Sequence, residues 1–147
     1  MNSCLADVNV LLAMFAVRHK HHSVATRWRE GIGDGELGIC RSVQLSVIRL
    51  LATRRVMGED TMSAGDGWRM LQRAMNDARV AWVEEGPEIG LMLPAMWRYA
   101  QSTPQLVNDG YLAALALSTG RRLVTFDQGF REFPGLRVRV LGEADEA

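Results

Sequence analysis

Short apolar runs alternate with longer segments of helical periodicity along this chain, and that alternation limits the fold more than any other feature. The short runs predict buried β-strands, while the segments between them carry apolar residues at helical spacing. Strands that alternate with helices are typical of an α/β domain with a mainly parallel sheet. The predicted strands span residues 3–7, 37–40, 80–83, 123–126 and 136–141.

The length and composition of the chain fit one globular domain. Its 147 residues are 48% hydrophobic and 23% charged, which suits a single hydrophobic core. We expect residues 1–141 to form that domain and residues 142–147 to form an acidic C-terminal tail. No apolar run reaches the roughly 18 residues that a membrane helix needs, and the N-terminus lacks a basic leader. We therefore expect a cytoplasmic protein with no membrane partner.

Cysteine content and charge give weaker indications. Cys4 and Cys40 each lie inside an apolar run, which favours two buried thiols over a disulfide. The 17 basic and 17 acidic residues give a formal net charge of zero, so bulk charge does not indicate a nucleic-acid partner. All basic residues except Lys20 are arginine, which suits RNA contact or reflects the codon usage of a GC-rich genome.

Three aspartates lie where an apolar run ends or a helix begins. Asp7 and Asp127 follow predicted strands, and Asp109 lies near the start of a helix predicted from Pro104 to Thr119. The carboxyl ends of parallel strands face a common crevice. The predicted helix leads directly into the strand before Asp127, so Asp109 and Asp127 fall on one side of the sheet. Asp7 joins them if the first strand is parallel to that strand.

Three carboxylates gathered in one crevice would repel one another unless a cation held them. The sequence therefore predicts a divalent-metal site with Asp7, Asp109 and Asp127 as ligands. Each residue also has a structural explanation of its own. Asp7 would cap a helix, Asp127 would form a turn, and Asp109 would place negative charge at a helix N-terminus.

Three stretches carry a resemblance to a known family: LADVNVLLAMF, IRLLATRRVMG and VNDGYLAALALSTGRRLVTFDQGFREFPGL. They resemble the PIN-domain ribonuclease toxins of type II toxin–antitoxin systems, of the VapC type. The resemblance extends to about Leu141 and is weakest between residues 59 and 100. It implies a single PIN-like domain, an α/β/α sandwich in which helices flank the central sheet. It also implies an endoribonuclease that hydrolyses RNA phosphodiesters with metal-activated water, using Mg²⁺ or possibly Mn²⁺.

The resemblance also implies partners. Such toxins have a cognate antitoxin protein that covers the active site, and they form homodimers. Their RNA substrates are transfer RNA, ribosomal RNA or messenger RNA.

The resemblance assigns roles to individual residues. Asp7, Asp109 and Asp127 match the family's acidic residues, and Thr125 matches the hydroxyl that accompanies the last of them. Gly110 stands where the family usually has alanine. Gln44 is the nearest match to a further acid, usually a glutamate, on the helix after the second strand.

The amide at Gln44 leaves two functions open. An amide can accept hydrogen bonds but adds no negative charge, so its presence weakens the expected binding of a metal, particularly of a second ion. In the first function Gln44 and Thr125 position water or phosphate in an active nuclease. In the alternative the chain is a catalytically impaired module that binds RNA or an antitoxin without cutting.

Two further groups of residues have simple structural interpretations. The three histidines at positions 19, 21 and 22 are predicted to be solvated loop residues, because no other ligands lie near them in sequence for a zinc site. The tryptophans at positions 68, 82 and 97 are predicted to be core, or an apolar patch for a partner.

Overall fold

One parallel sheet organises the chain, as the alternation of strands and helices predicts. The computed structural model describes residues 2–98, 104 and 106–142. Each strand pairs with its neighbours in parallel, in the order β3-β2-β1-β4-β5. The five strands are β1 (Cys4–Ala6), β2 (Leu37–Ile39), β3 (Val80–Trp82), β4 (Arg122–Thr125) and β5 (Val138–Val140).

Helices connect the strands. The described residues contain α1 (Val8–Phe15), α2 (His22–Glu30), α3 (Arg41–Leu51), α4 (Arg54–Met57), α5 (Ala64–Met75), α6 (Ile89–Trp97) and α7 (Leu106–Thr119). Two short 3-10 helices cover Gly58–Asp60 and Gln128–Glu132. Pro104 lies in a turn before α7, and residues 143–147 of the predicted tail lie outside the described part of the chain.

Both faces of the sheet are buried, which confirms the predicted α/β/α arrangement. Successive side chains of a strand point to opposite faces. Leu5 of β1 belongs to an apolar cluster that includes residues of α3, α5 and α7. Its neighbours Cys4 and Ala6 belong to a second cluster that includes Val10 of α1 and Val24 of α2. Burial on both faces explains why the strands read as continuous apolar runs.

The strand order creates a crevice beside the first strand. From β1 the chain moves outward to β2 and β3 on one side, and later to β4 and β5 on the other. In open parallel sheets, ligands bind outside the carboxyl ends of the strands where the order reverses. That point lies between β1 and β4, whose carboxyl ends lead to Asp7 and Asp127.

The structure confirms one prediction about buried side chains and corrects another. Cys4 and Cys40 are buried free thiols, as predicted. The prediction that the tryptophans are core is wrong, since Trp68, Trp82 and Trp97 are each more than a third exposed. No helix among the described residues is long and apolar enough to cross a membrane.

Close packing of the central strands depends on Gly38 in β2. A Cβ atom there would collide with the carbonyl oxygen of Cys4 and lie 2.7 Å from Cγ2 of Val83. The backbone of β1 cannot move away without breaking its pairing with β2, so only glycine fits.

We expect Gly38→Ala to lower the free energy of unfolding by roughly 3 kcal/mol, because overpacking against backbone cannot relax. Gly90→Ala in α6 is the matched control, since no atom lies within 4 Å of its added Cβ. Alanine there should be neutral or gain roughly 0.5 kcal/mol from helix propensity. Urea unfolding of both variants checks this, and equal effects of the two substitutions would contradict it.

Candidate active site

Asp7 lies at the carboxyl end of β1 and is held by two hydrogen bonds. Its Oδ1 accepts a hydrogen bond from the Val8 N–H at 2.7 Å, which caps α1. Its Oδ2 accepts one from the Thr125 hydroxyl at 2.8 Å. Only 6% of Asp7 is exposed, and a buried carboxylate needs such partners. The capping role is therefore real, and one side chain combines it with a place in the crevice.

Thr125 connects the ends of β1 and β4. It is fully buried, and its hydroxyl donates to Asp7 while accepting from the Asp127 N–H at 2.9 Å. A hydroxyl supplies one donor and two acceptor sites, so one group fixes both the Asp7 carboxylate and the backbone at Asp127. The match of Thr125 to the family hydroxyl thus corresponds to a definite contact.

Asp127 begins the 3-10 helix that follows β4. Its Oδ1 accepts a hydrogen bond from the Gly129 N–H at 2.8 Å, which is the turn role that the sequence allows. The residue is exposed. Its negative charge helps to raise the pKa values of both Asp7 and Asp109, so the three carboxylates share one electrostatic environment.

Asp109 lies in the first turn of α7, half-buried beside the other two acids. Burial raises its carboxyl pKa to about 6, and the charges of Asp7 and Asp127 add to the rise. For Asp7, burial raises the pKa, while hydrogen bonds from Thr125 and Val8 lower it. β1 and β4 are parallel neighbours, which meets the condition under which Asp7 joins Asp109 and Asp127.

The three carboxylates do not form a closed set of metal ligands. Within the described residues there is no group of three or more His, Cys, Asp or Glu side chains in position to hold a metal ion. Mg²⁺ is usually bound through one or two carboxylates and keeps several waters in its shell. Asp7 and Asp109 fit such an ion in their chemistry, because the repulsion between their negative charges favours a bound cation.

Gln44 lies in the first turns of α3 and is 2% exposed. Its Oε1 accepts a hydrogen bond from Nη1 of Arg41 at 2.9 Å. The side-chain oxygen that would face a metal or water therefore has a protein partner. The departure from the family acid is accompanied by a cation at the same edge of the sheet.

Gly110, which stands where the family usually has alanine, is explained by a neighbouring side chain. A Cβ atom on Gly110 would lie 3.0 Å from Cδ1 of Trp97, so glycine admits this indole against α7. The Trp97 Nε1–H donates to the Val107 carbonyl at 3.1 Å. The indole of α6 thus braces the turn of α7 that carries Asp109.

Sequence reasoning missed the contacts around the crevice. The His21 ring stacks on Phe126, with 4.2 Å between ring centroids, and the three histidines are half-buried. The three histidines are thus partly buried and make contacts that a prediction of solvated loop residues does not include. Phe126 separates Thr125 from Asp127, so this loop supports the end of β4. Short-range pattern carries no signal for a contact between segments about a hundred residues apart.

One cavity among the described residues lies away from the three aspartates. It measures about 510 Å³ and is lined by residues of α2 and of the amino-terminal halves of β1 and β4, including Trp28, Cys4 and Arg122. None of the predicted site residues lines it. Asp7, Asp109 and Asp127 lie outside this cavity, near the carboxyl ends of β1 and β4.

Comparison with known proteins agrees with this fold. The PIN domain family matches residues 4–136. Ribonuclease VapC41 of Mycobacterium tuberculosis is 33% identical, over 95% of this chain and 99% of that protein.

Solved structures share the fold at low sequence identity. Mycobacterium tuberculosis VapC20, described as a Sarcin-Ricin loop cleaving toxin, has a TM-score of 0.60 at 17% identity over 92% of this chain and 99% of that one. A toxin-antitoxin complex from Klebsiella pneumoniae has a TM-score of 0.61 at 16% identity over 94% and 97%. The chain therefore belongs to the PIN domain family and is related within it to the VapC ribonucleases.

Proposed function

We propose that this protein is the toxin of a type II toxin–antitoxin pair and acts as a metal-dependent endoribonuclease. The main support for the proposal is that Asp7, Asp109 and Asp127 lie near one another, next to the point between β1 and β4 where the strand order reverses. The relationship to ribonuclease VapC41 supports the reaction class. No described contact favours a non-cutting module, because Asp7, Asp109 and Asp127 are all present and only the acid expected at position 44 is replaced by an amide.

Each residue has a role that follows from its contacts. Asp7 and Asp109 would hold a divalent ion, Mg²⁺ or possibly Mn²⁺. When bound, such an ion polarises a phosphodiester and lowers the pKa of water. Asp127 completes the set of oxygens or orients the attacking water. Thr125 holds the Asp7 carboxylate in place through its hydroxyl, and Gln44 holds Arg41.

The same proposal covers partners and location. A cognate antitoxin would inhibit by covering the crevice, and the fold shared with a toxin-antitoxin complex supports this. The substrate would be transfer RNA, ribosomal RNA or messenger RNA, cut in the cytoplasm by a homodimer.

We expect purified protein to cut a total-RNA pool into discrete products with Mg²⁺ or Mn²⁺ and not with EDTA. Asp109→Asn should lower the rate by about a hundredfold or more, because metal catalysis supplies several kcal/mol of barrier reduction. Asp66→Asn, which changes an exposed acid on α5, should cut at the wild-type rate. Gel or sequencing analysis of fragment ends measures this. Metal-independent products, or equal products from Asp109→Asn, would contradict the proposal.

We expect Thr125→Val to lower activity by roughly 10- to 100-fold, the usual cost of losing a group that orients a metal ligand. Valine keeps the shape but leaves Oδ2 of Asp7 and the N–H of Asp127 without their partner. Thr125→Ser retains the hydroxyl and should keep most of the activity. Rates across metal concentration test this, and a fully active Thr125→Val would exclude the positioning role.

The raised pKa of Asp109 predicts a pH-dependent stability effect in metal-free protein. The folded carboxyl titrates at about 6 and its ordinary value is 3.8. The folded protein therefore favours the protonated carboxyl of Asp109. The stability that this proton contributes is fully present below the unfolded pKa and is lost as pH rises through the folded pKa. Asp109→Asn should therefore be more stable than wild type in EDTA at neutral pH, by roughly 1 kcal/mol after allowance for solvent screening. The difference should vanish near pH 4.

Asp66→Asn is the matched control for this titration. A hydrogen bond from Arg69 lowers the pKa of Asp66, so its loss should reduce stability at neutral pH, which is the opposite sign. Mg²⁺ should raise the unfolding midpoint of wild type and not that of Asp109→Asn. Urea titrations at several pH values measure these effects. A less stable Asp109→Asn at neutral pH without metal would contradict the electrostatic account.

A further inference from the structure

The guanidinium of Arg41 lies over two indole rings. Its Cζ atom is 4.8 Å from the centre of the Trp82 ring and 5.7 Å from that of Trp68. Gln44 fixes the group from another side by accepting a hydrogen bond from Nη1. A cation held on aromatic faces and by an amide keeps one orientation, which long arginine side chains otherwise lack.

This group remains open to solvent. Arg41 is exposed, and Trp82 and Trp68 are 40% and 38% exposed. The hydrogen bond to Gln44 is the only one that Arg41 makes from its side chain among the described residues. The other guanidinium donors and parts of both indoles therefore stay available to a ligand.

The arrangement lies on the same edge of the sheet as the acidic crevice. Arg41 begins α3 directly after β2, and Trp82 ends β3. Because all strands are parallel, these ends face the same way as the end of β1 at Asp7. β3 is two strands from β1, and neighbouring strands lie roughly 4.8 Å apart, so the lateral separation is on the order of 10 Å.

Helix α7 contacts the segment that follows β3. The Tyr111 hydroxyl donates to Oε1 of Glu85 at 2.9 Å, and Glu85 follows β3. Tyr111 lies two residues after Asp109, in the same turn of α7. The acidic crevice and the Arg41 group thus lie along the same edge of the sheet.

Charge and ring chemistry indicate what would bind there. The crevice acids, together with Glu84 and Glu85 after β3, repel a polyanion, so a nucleic acid needs a fixed cation beside them. Arginine donors suit phosphate, and exposed indoles suit an unpaired base, which stacks on any aromatic face.

We propose that Arg41, Trp82 and Trp68 bind the nucleotide that flanks the cleaved phosphodiester, with Arg41 on its phosphate and the indoles on its base. Gln44 is the positioning residue for Arg41. The inference rests on the proposed ribonuclease function and adds to it a preference for single-stranded RNA next to the cut. It also gives the amide at position 44 a role that an acid could not fill without neutralising the cation.

Binding can be measured apart from cleavage. The probe is a labelled single-stranded RNA of about twelve nucleotides, within the usual span of such sites. Fluorescence anisotropy follows its binding to full-length protein carrying Asp109→Asn, in EDTA, so that no cutting occurs. Arg41→Ala, Trp82→Ala, Trp82→Phe and Gln44→Ala are compared in that background, with thermal unfolding to confirm that each folds.

We expect Arg41→Ala and Trp82→Ala to weaken binding by about fivefold or more each, the usual cost of losing a stacking contact. Trp82→Phe should retain most of the affinity. Arg41→Ala should also lower the slope of log affinity against log salt by about 0.7, the value for one phosphate of a single strand, while Trp82→Ala leaves it unchanged. Gln44→Ala should weaken binding less than Arg41→Ala.

Arg73→Ala is the matched control, because it removes an exposed arginine from the helix that carries Trp68. Its affinity and salt slope should equal those of the parent. Unchanged RNA affinity in folded Arg41→Ala and Trp82→Ala would overturn the inference. Unchanged RNA affinity with a lost antitoxin contact would assign the surface to a protein partner and also overturn it.

Kinetic measurements distinguish a failure of the proposed RNA-binding site from a failure of the proposed nuclease function. In active protein, Arg41→Ala and Trp82→Ala should raise KM while kcat changes little. Cleavage with unchanged KM in both variants would leave the nuclease intact and reject the binding site. Binding that depends on Arg41 in a protein that never cuts would support the site and reject the nuclease.

Discussion

The hydrogen bond from Thr125 to Asp7 is the contact on which the site depends. It joins the carboxyl ends of β1 and β4, the two strands between which the order of the sheet reverses. The same aspartate begins α1, and the same threonine holds the backbone at Asp127. A small number of buried polar atoms therefore sets the position of two acids and the start of a helix. A buried network of this kind specifies one geometry when every member has a partner.

The grouping of the acidic side chains lowers the free energy of unfolding at neutral pH. Burial and like charge raise the carboxyl pKa values of Asp7 and Asp109, so the charged forms of these two carboxyls are unfavourable in the folded protein. Structural aspartates show the opposite behaviour, as at Asp77, whose hydrogen bonds from Arg79 lower the carboxyl pKa to about 2. Carboxyl pKa values that burial and neighbouring like charges raise in this way are typical of functional sites. A bound cation would remove the repulsion, which couples metal binding to stability.

Much of the fold follows from local pattern. The observed strands agree with the predicted ones to within two residues at each end, because strands buried on both faces read as apolar runs. Asp7 and Asp127 could be found for the same reason, since each follows such a run, and Asp109 could be found because it lies near the start of an apolar helix. The alternation predicts a mainly parallel sheet but not that β1 pairs with β4, and the joining of Asp7 to the other acids depended on that pairing. The roles of the individual site residues remain predictions.

Contacts between segments that are distant in sequence could not be predicted from the sequence. Pattern identifies an apolar residue but not its exposure, so the sequence leaves Trp68 and Trp82 either in the core or in an apolar patch, and the structure places both at the surface around Arg41. Gln44 was recognised as a departure from the family, but its hydrogen bond to Arg41 required the structure. The need for glycine at position 38 comes from the neighbouring β1 backbone and a residue after β3. Nothing in the local sequence reports such an approach.

The most direct test of the central claim is the position of a metal ion in the folded protein. Anomalous scattering from crystals soaked in Mn²⁺ would locate it without any assumption about activity. The account predicts a single main peak between the carboxylates of Asp7 and Asp109, near Asp127, and no peak there in Asp109→Asn crystals. A peak elsewhere, or none at this crevice under saturating Mn²⁺, would contradict the claim that these three aspartates form a metal-dependent active site.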